Sequence, residues 1–466
     1  MHSIMKTLGN EIVFWMAWVI IPLLVEIIPA MFGIVLLFIK RVRYRKEKDM
    51  VYFPEITLII PVYNSADTLE SCLDSVYQSS YPNSSISVML VDNGSKDDSF
   101  SIYKDYQTNH PDMNARWLSA KQGKSRALNM ALFNSEGKYI IHIDSDGRLH
   151  EEALMNMVKR FENHKEISCM TGSILTDPEA IDGEKKFWKR VLKKAEFFEY
   201  AQAFLAGRNY EAELNSIFTL SGAFSAFRKS TILKTRLYNT ETVCEDTHVT
   251  FQIRYDLNEK INICENAIFF VEPIESMERL YVQRQRWQRG ELEVVHMFRK
   301  QKKLKKKKEL LSSGVMSKIV IFDHTFAFPR MIWYMALLCL SLIGYPFRYI
   351  LISFVLIYIL YVLSAFLYYV NVNLFLKWDK KLRRFYGRKV YYVFLLPALN
   401  FVAYWFRLAG IINSIKGTST WRTKGFKEEV ATTKQIIKED FSGIVRGIRN
   451  VKEKIYREGE NEKENE

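Results

Sequence analysis

The sequence predicts an α/β domain with a mainly parallel central sheet, joined to α-helical transmembrane segments. Three observations predict this fold class. Between about Pro54 and Gly290, short β-rich runs alternate with helical patterns, which is the signature of βαβ units. Apolar residues gather in long blocks near the two ends of the chain. Lys and Arg cluster beside those blocks, as they do in the cytoplasmic flanks of membrane spans.

The first apolar block lies near the N-terminus. From Ile12 to Ile39 it contains no Lys or Arg and one acid, Glu26. It is longer than the roughly 20 residues that cross a hydrocarbon core, and no small-residue cleavage site follows it. Residues 1–48 are therefore predicted to be a retained transmembrane span with a basic flank.

The α/β domain begins with two predicted strands. Ile56 to Ile60 form a buried strand that Pro61 is expected to stop. The next strand, Ser87 to Val91, ends at the turn-forming cluster Asp92-Asn93-Gly94-Ser95. Between the two strands, apolar side chains at helical spacing predict a helix: Leu69, Cys72, Leu73 and Val76.

A third buried strand is predicted from Tyr139 to Ile143, after a helix from about Lys124 to Phe133. This strand ends in Asp144-Ser145-Asp146-Gly147, so two acidic clusters follow the carboxyl ends of two parallel strands. Ligands of open α/β sheets bind at this edge. We assign residues 49–300 to one cytoplasmic domain with its ligand site here.

More apolar blocks follow a basic juxtamembrane segment, 301–330. Residues 331–376 are predicted to form a hairpin of two membrane spans, because only Arg348 separates two apolar stretches. Val390 to Ile412 is also long enough to span, but Asn400 and Arg407 give it a polar stripe.

Charge decides how this last segment is interpreted. If it crossed the membrane, the basic tail after Lys416 would lie outside, against the positive-inside rule. We therefore predict a multi-pass protein of the cell membrane with three spans and an interfacial or re-entrant helix within 377–426. Residues 427–466 are predicted to form an amphipathic helical tail with a disordered end.

The formal net charge of +14 raises the question of nucleic-acid binding. The positive charge lies beside the apolar blocks, where it attracts anionic lipid headgroups, and no zinc-finger spacing or basic-zipper pattern accompanies it. Membrane lipids, and not nucleic acid, are the expected partners. The five cysteines are scattered without a Cys-x-x-Cys pair, which disfavours a disulfide framework or a zinc site.

Carboxylates supply the candidate chemistry. Asp144 and Asp146 follow a buried strand, and alternation in an extended segment points both the same way, so that they suit Mg²⁺ or Mn²⁺. The alternative is a solvated turn. Glu245 and Asp246 open an apparent helix, where acids also occur for capping and dipole reasons alone.

Gln283-x-x-Arg286-Trp287 is a rarer pattern. An Arg side chain can bind phosphate oxygens bidentately, and Trp offers a flat face on which a sugar ring can pack. The alternative is an ordinary interfacial belt of aromatic and basic residues.

Together and in this order, the motifs resemble those of the processive family 2 glycosyltransferases, which include cellulose, hyaluronan and poly-N-acetylglucosamine synthases. Within that group the chain looks closest to a Gram-positive branch that accompanies exosortase-like proteins. The elements of the resemblance are Pro61-Val62-Tyr63-Asn64, Val91-Asp92-Asn93-Gly94-Ser95, Gly123-Lys124, Ala127-Leu128-Asn129, Asp144-Ser145-Asp146, Ser221-Gly222-Ala223, Glu245-Asp246 and Gln283-Arg284-Gln285-Arg286-Trp287.

The resemblance implies a GT-A-like domain that binds a nucleotide-sugar donor, most simply a UDP-sugar. Asp92 would contact the uridine, while Asp144 and Asp146 would hold the diphosphate and Mg²⁺ or Mn²⁺. The other implied donor-site residues are Tyr63, Asn93, Lys124 and Arg286, of which Arg286 would meet the pyrophosphate.

The resemblance also implies the acceptor side of the reaction. Asp246 would be the general base on the acceptor hydroxyl, with Glu245 supporting it. Gly222 and Trp287 would bind the acceptor, and an α-linked donor would be inverted to a β-glycoside. In the cellulose-synthase branch a gating loop follows an interfacial helix, and Thr420-Trp421-Arg422-Thr423-Lys424 resembles it. The alternative is an ordinary basic juxtamembrane loop.

One departure from the family pattern is Asn93, where many relatives have a second acid. The Gln-x-x-Arg-Trp motif favours polymer synthesis over single-sugar transfer to a lipid carrier. The second alternative is a non-catalytic membrane scaffold, which the presence of the metal and base carboxylates disfavours. The acceptor would be a glycan or a lipid-linked sugar. With only three spans, export of a polymer would call for a partner protein or a homo-oligomer.

Overall fold

The computed structural model describes residues 23–43, 47–304 and 327–416, together with Met16, Trp18 and Ile20. One eight-stranded sheet forms the centre of the domain. Its strands are β1 (Ile56–Val62), β2 (Ile86–Asp92), β3 (Ala115–Ser119), β4 (Tyr139–Ile143), β5 (Gly147–Leu149), β6 (Ile167–Thr176), β7 (Phe224–Arg228) and β8 (Lys260–Val271).

Helices connect and cover these strands. They are α1 (Ile28–Arg43), α2 (Leu69–Tyr77), α3 (Ser99–Asn109), α4 (Lys124–Asn134), α5 (Ala153–Asn163), α6 (Pro178–Asp182), α7 (Phe187–Ala201), α8 (Arg208–Glu213), α9 (Lys229–Ile232), α10 (Glu245–Phe251), α11 (Met277–Leu304), α12 (Ala327–Leu342), α13 (Phe347–Phe375), α14 (Lys380–Gly387) and α15 (Tyr392–Lys416).

The strand order β3-β2-β1-β4-β7-β6-β8-β5 places β1 at the centre of a parallel half. β1 pairs in parallel with β2 and β4, and β2 pairs in parallel with β3. β7 then enters antiparallel to both β4 and β6. The carboxyl ends of β2 and β4 therefore lie on the same edge, which brings the two acidic clusters together as predicted.

Alternation along β1 builds the core on both faces of the sheet. Leu58 and Ile60 pack with the buried face of α2, whereas Ile59 packs with α4 on the opposite side. The expectation that Pro61 stops this strand is wrong, because β1 continues to Val62. Pairing with β4 ends at Ile59, so the missing N–H of Pro61 falls where that side of β1 needs no donor.

The apolar helices pack against the domain. α12 and α13 form a helical hairpin whose tight turn contains Gly344 at φ +93°, a conformation that glycine adopts without strain. Along α15, the Arg407 Nε donates to Gln288 Oε1 of α11 at 2.9 Å. On α7, the Phe198 ring stacks on Tyr386 of α14 with centroids 4.4 Å apart.

Two of the described helices are long and apolar enough to cross a membrane, Phe347–Trp378 and Tyr392–Ala409. The interfacial or re-entrant assignment of Val390 to Ile412 stays a prediction, since length and composition alone admit a crossing. Most of the basic segment 301–330, the possible gating loop and the predicted tail at 427–466 lie outside the described residues.

Candidate active site

Lys124 is the centre of the cluster at the carboxyl edge of the sheet. Its Nζ lies 2.5 Å from Asp144 Oδ1, 3.7 Å from Glu245 Oε1, and donates to the Gly222 carbonyl at 3.1 Å. Burial opposes the charge of Lys124, but Asp144 and then Glu245 outweigh it, so that the pKa of the ammonium is raised. The Lys124 ammonium therefore contacts residues from three places: the end of β4, the segment before β7 and the start of α10.

The loop before α4 sets the position of Lys124. Gly123 has φ +135°, which a side chain would strain, and its N–H donates to the buried Asn93 Oδ1. Asn93 therefore ties the turn after β2 to the start of α4. This contact uses only the amide oxygen, which explains how the site accommodates Asn in place of an acid.

Asp92 and Tyr63 border the same loop. The Asp92 Oδ1 accepts the Ser95 N–H at 2.9 Å, a bond that closes the turn. The Tyr63 side chain is half-exposed, and its hydroxyl accepts from Gln122 Nε2 at 3.4 Å. Tyr63 thus contacts the residue before Gly123 and Lys124, and Asp92 precedes Asn93, which binds the same loop.

Asp144 and Asp146 differ in their electrostatic surroundings. Burial raises the pKa of Asp144, but Lys124 and His142 outweigh that effect and hold it well below its ordinary value. Burial, and then the charge of Asp144, raise the pKa of Asp146 to about 6. The Ser145 and Ser65 hydroxyls, 2.7 Å apart, fasten this loop to the one after β1.

These two carboxylates fit a divalent cation that takes its other ligands from phosphate. Among the described residues, no group of three or more His, Cys, Asp or Glu side chains is arranged to hold a metal by itself. Mg²⁺ sites that bind nucleotides typically use one or two carboxylates and complete the coordination with substrate phosphates. After burial, the charge of Asp144 is the second cause of the raised pKa of Asp146, so the two carboxylates lie close enough to interact.

Glu245 and Asp246 open α10, as predicted. The Asp246 Oδ1 accepts the Thr247 N–H at 2.6 Å within the first turn of the helix, while the N-cap residue Cys244 makes no side-chain capping bond. The other Asp246 oxygen lies so near Gly222 that a Cβ there would stand 2.9 Å from Oδ2. Glu245 is buried, and burial with the charge of Asp246 raises its pKa although Lys124 opposes them.

The Gln-x-x-Arg-Trp motif lies on α11. The Trp287 ring is 37 % exposed, which leaves a face open for packing. The Arg284 guanidinium lies 4.6 Å from the centre of the Trp287 ring, a cation–π contact. Arg284 Nη2 also forms an ion pair with Glu199 Oε2 at 2.8 Å. Arg286 is exposed, and its charge opposes the burial that raises the pKa of the Cys244 thiol beside Glu245.

Comparison with known proteins agrees with this geometry. Residues 57–236 match the family described as "Glycosyl transferase family 2". The chain carries a family 2 glycosyltransferase domain. The predicted resemblance to the family 2 glycosyltransferases is thereby confirmed, and the branch within that family stays a prediction.

Two relatives of this domain are named poly-beta-1,6-N-acetyl-D-glucosamine synthase. The protein from Staphylococcus epidermidis is 25% identical over 240 residues, 52% of this chain and 55% of its own length. The protein from Staphylococcus aureus strain MSSA476 is 25% identical over 263 residues, 55% of this chain and 60% of its own. The chain thus matches little more than half the length of these curated relatives.

A solved structure supports the fold. A mannosyltransferase from Pyrobaculum calidifontis, in complex with GDP-Man and Mn²⁺, superimposes with a TM-score of 0.53 at 17% identity. The match covers 86% of this chain and 99% of that one. The predicted GT-A-like fold with a mainly parallel sheet is confirmed.

Two features of the family 2 domain and its flanking helix were not predicted from the sequence. The first is the connecting role of Lys124, which contacts carboxylates and a carbonyl from distant parts of the chain. The second is Arg284, which supports Trp287, whereas the sequence had directed attention to Arg286. Helical periodicity could have found it, because Arg284 shares the buried face of α11 with Tyr281 and Gln288.

Proposed function

We propose that this chain is a membrane-associated inverting glycosyltransferase that moves a sugar from a UDP-linked donor to a growing β-linked glycan. The cluster in which Lys124 joins Asp144, Glu245 and the Gly222 carbonyl carries the proposal. It gathers a donor-side carboxylate, an acceptor-side carboxylate and a cation at the ligand edge of the sheet. The polymer synthases among the relatives support glycan elongation.

On the donor side, Asp92 and Tyr63 would bind the nucleoside, and Asn93 would hold the loop that presents Lys124. Asp144 and Asp146 would hold Mg²⁺ or Mn²⁺, which neutralises the diphosphate when it is bound. Lys124, raised in pKa, would remain an ammonium and contribute positive charge beside the same phosphates.

On the acceptor side, Asp246 would act as the general base. Its carboxylate would take the proton of the acceptor hydroxyl while that oxygen forms a bond to the anomeric carbon. The bond from the anomeric carbon to the diphosphate would break on the opposite face, with inversion, and the nucleoside diphosphate would leave. The absence of a side chain at Gly222 would leave room for the acceptor beside Asp246.

Trp287 would form the floor of the acceptor site. Its half-open face suits the apolar face of a sugar ring, and Arg284 stacked on the ring would restrict its motion. Arg286, on the same helix, would approach the diphosphate from the solvent side. Helix α11, which carries Trp287, contacts α15, and α15 contains a candidate membrane span.

The protein is proposed to be multi-pass, with its catalytic domain in the cytoplasm. The two apolar helices that are long enough to span, and the basic residues at their ends, support this orientation. A glycan or a lipid-linked sugar would be the acceptor, and an export partner or a second copy would complete a path for a polymer.

Release of UDP by the full chain in lipid-supplemented detergent tests the proposal. We expect one UDP-sugar from a panel of UDP- and GDP-sugars to turn over with Mg²⁺ or Mn²⁺. Asp246→Asn should lower that rate by about 10²- to 10⁴-fold, the usual contribution of a general base. Asp105→Asn, an exposed carboxylate on α3, is the matched control and should leave it unchanged.

The product distinguishes two forms of the reaction. A ladder of lengthening glycans would support elongation, whereas a single addition to a lipid would redirect the proposal to lipid-carrier transfer. Full activity of Asp246→Asn, or no turnover of any donor by folded protein, would contradict the proposal.

A further inference from the structure

A cavity of about 210 Å³ lies away from the catalytic edge, where α1, the domain and the end of α13 meet. Leu37, Leu374 and Phe375 form its apolar wall, and Lys40, Arg160 and Lys377 contribute positive charge. The volume is below the roughly 300 Å³ of a small-molecule pocket, so it would enclose only part of a ligand. It is too small for a second nucleotide-sugar.

Asn371 provides the observation that points to a ligand. It lines the cavity, is 2 % exposed, and its Oδ1 has no hydrogen-bond partner among the residues that the structure describes. Buried carboxamide oxygens without a donor are rare in folded proteins. A ligand hydroxyl in the cavity would supply the missing donor.

The charges around the cavity favour an anion. Lys40 is paired with Glu213 at 2.9 Å, and Arg160 is paired with Glu265, which also lines the cavity. Lys377 is exposed and makes no ion pair within the part of the chain that the structure describes. An anionic group beside Lys377 would therefore meet a positive charge that the protein does not neutralise.

The position of the cavity favours a lipid over a soluble anion. Lys40 and Lys377 each follow an apolar helical stretch, and Trp378 stands next to Lys377 on the rim. Lys and Trp residues in such places mark the boundary between hydrocarbon and water. Basic pockets between helices on the cytoplasmic side of a membrane bind anionic lipid headgroups.

We propose that this cavity binds one anionic phospholipid whose headgroup carries a hydroxyl. The phosphate lies beside Lys377, the headgroup hydroxyl donates to Asn371 Oδ1, and an acyl chain packs on Leu37, Leu374 and Phe375. The inference rests on the membrane association proposed above, but not on glycosyl transfer. A lipid in this position contacts α1, α13 and the domain at the same time.

Native mass spectrometry of the full chain in detergent tests this site through binding alone. We expect one bound phosphatidylglycerol, held at least tenfold more tightly than phosphatidylcholine. Lys377→Glu should weaken phosphatidylglycerol about tenfold or more, because it reverses a charge at the headgroup. Lys380→Glu, an exposed lysine close by that does not line the cavity, is the matched control and should leave binding unchanged.

A second variant tests the hydroxyl contact. Asn371→Leu should weaken phosphatidylglycerol severalfold but leave phosphatidylmethanol, an anionic lipid without a headgroup hydroxyl, unchanged. Equal loss in Lys377→Glu and Lys380→Glu would mean diffuse surface attraction and would overturn the proposal. Equal binding of phosphatidylcholine, or equally tight binding of soluble glycerol phosphate, would overturn it as well.

Discussion

Two buried clusters of charge in this domain differ in how well they are balanced. Around Arg160, Nε lies 2.8 Å from Glu47 Oε1 and Nη1 lies 2.5 Å from Glu265 Oε2, while Nη1 also donates to the Ile263 carbonyl. Burial alone would raise the pKa of Glu265, but Arg160 and then Lys40 outweigh it and lower the pKa to about 2. The two carboxylates of this cluster are thus paired with a cation of the protein itself.

The cluster around Lys124 contains more acid than its cation neutralises. Burial and neighbouring carboxylates raise the pKa of both Asp146 and Glu245, although Lys124 opposes the effect. Carboxylates with raised pKa values are frequent at sites that bind a cation or move a proton, although structural ion networks also contain them. The comparison therefore distinguishes a balanced ion cluster from the cluster that we propose to be catalytic, without reference to motifs.

Removing the cation of the balanced cluster should have the largest effect on stability. Arg160→Met would leave Glu47 and Glu265 buried without a partner, and we expect the free energy of unfolding to fall by about 3–5 kcal/mol. Denaturant unfolding of the full chain in detergent, followed by tryptophan fluorescence, measures this change.

Lys159→Met is the control for that substitution. Lys159 is the preceding residue on α5 and pairs with the exposed Asp49 at 2.6 Å, so its loss should cost no more than about 1 kcal/mol. Equal effects of the two variants would show that the buried cluster adds nothing beyond a surface pair.

Glu196 is another buried carboxyl group, and it should make the stability of the domain depend on pH. It lies buried on α7, its carboxylate accepts the Ile274 N–H at 2.7 Å, and burial raises its pKa from 4.5 to about 7. The folded state therefore prefers the protonated acid, and this stabilisation is complete below pH 4.5 and is lost as the pH rises through 7. We expect the loss to be on the order of 1–3 kcal/mol.

Unfolding of Glu196→Gln between pH 4.5 and 8 measures this contribution. The amide cannot ionise, so the difference in unfolding free energy between variant and wild type should grow in favour of the variant as the pH rises. If the difference in unfolding free energy between Glu196→Gln and wild type stays constant with pH, the raised pKa of Glu196 does not contribute to stability.

The sequence predicted the parallel half of the sheet well and the charge clusters only in part. β4 was predicted with its observed ends, because a buried strand followed by acids and Gly is an unambiguous local pattern. β7 was not foreseen, since it enters the sheet between β4 and β6 through contacts that are distant in sequence.

The same physical reason limits prediction of the site. The acids Asp144, Glu245 and Asp246 follow from local motifs, but the contact of Asp144 and Glu245 with Lys124 exists only after the chain has folded. The choice of Arg284 over Arg286 depends on which face of α11 packs on Glu199 and Tyr200. Burial of that face depends on tertiary packing, which a sequence motif alone does not specify.

Gly222 tests whether the unbalanced cluster needs its open space. In Gly222→Ala the new Cβ would stand 2.9 Å from Asp246 Oδ2 and would displace the proposed base. We expect kcat to fall about tenfold or more, since small misplacements of reacting groups are costly. UDP release at saturating donor measures it.

Gly33→Ala on α1 is the matched substitution, because its new Cβ would meet no atom closer than 3.5 Å. It should leave kcat unchanged. If Gly222→Ala has full activity, either Asp246 moves without consequence or it is not the base.

The smallest expected effect is that of a Glu→Gln substitution on the free energy of unfolding. Because we expect it to have opposite signs in the two clusters, it tests the comparison most directly. Glu245→Gln removes a charge that burial and Asp246 disfavour, while Lys124 keeps its closer partner Asp144. We expect the free energy of unfolding at pH 8 to rise by about 1 kcal/mol while UDP release falls.

Glu265→Gln, the same substitution in the balanced cluster, should instead lower the free energy of unfolding, because Arg160 and Lys40 hold that carboxylate in its charged form. Parallel thermal unfolding of the two variants measures both signs in one experiment. A loss of stability in both would mean that Lys124 balances its carboxylates as fully as Arg160 does. The excess of acid at the edge of the sheet would then be a structural feature, and the catalytic assignment would depend on Asp246 alone.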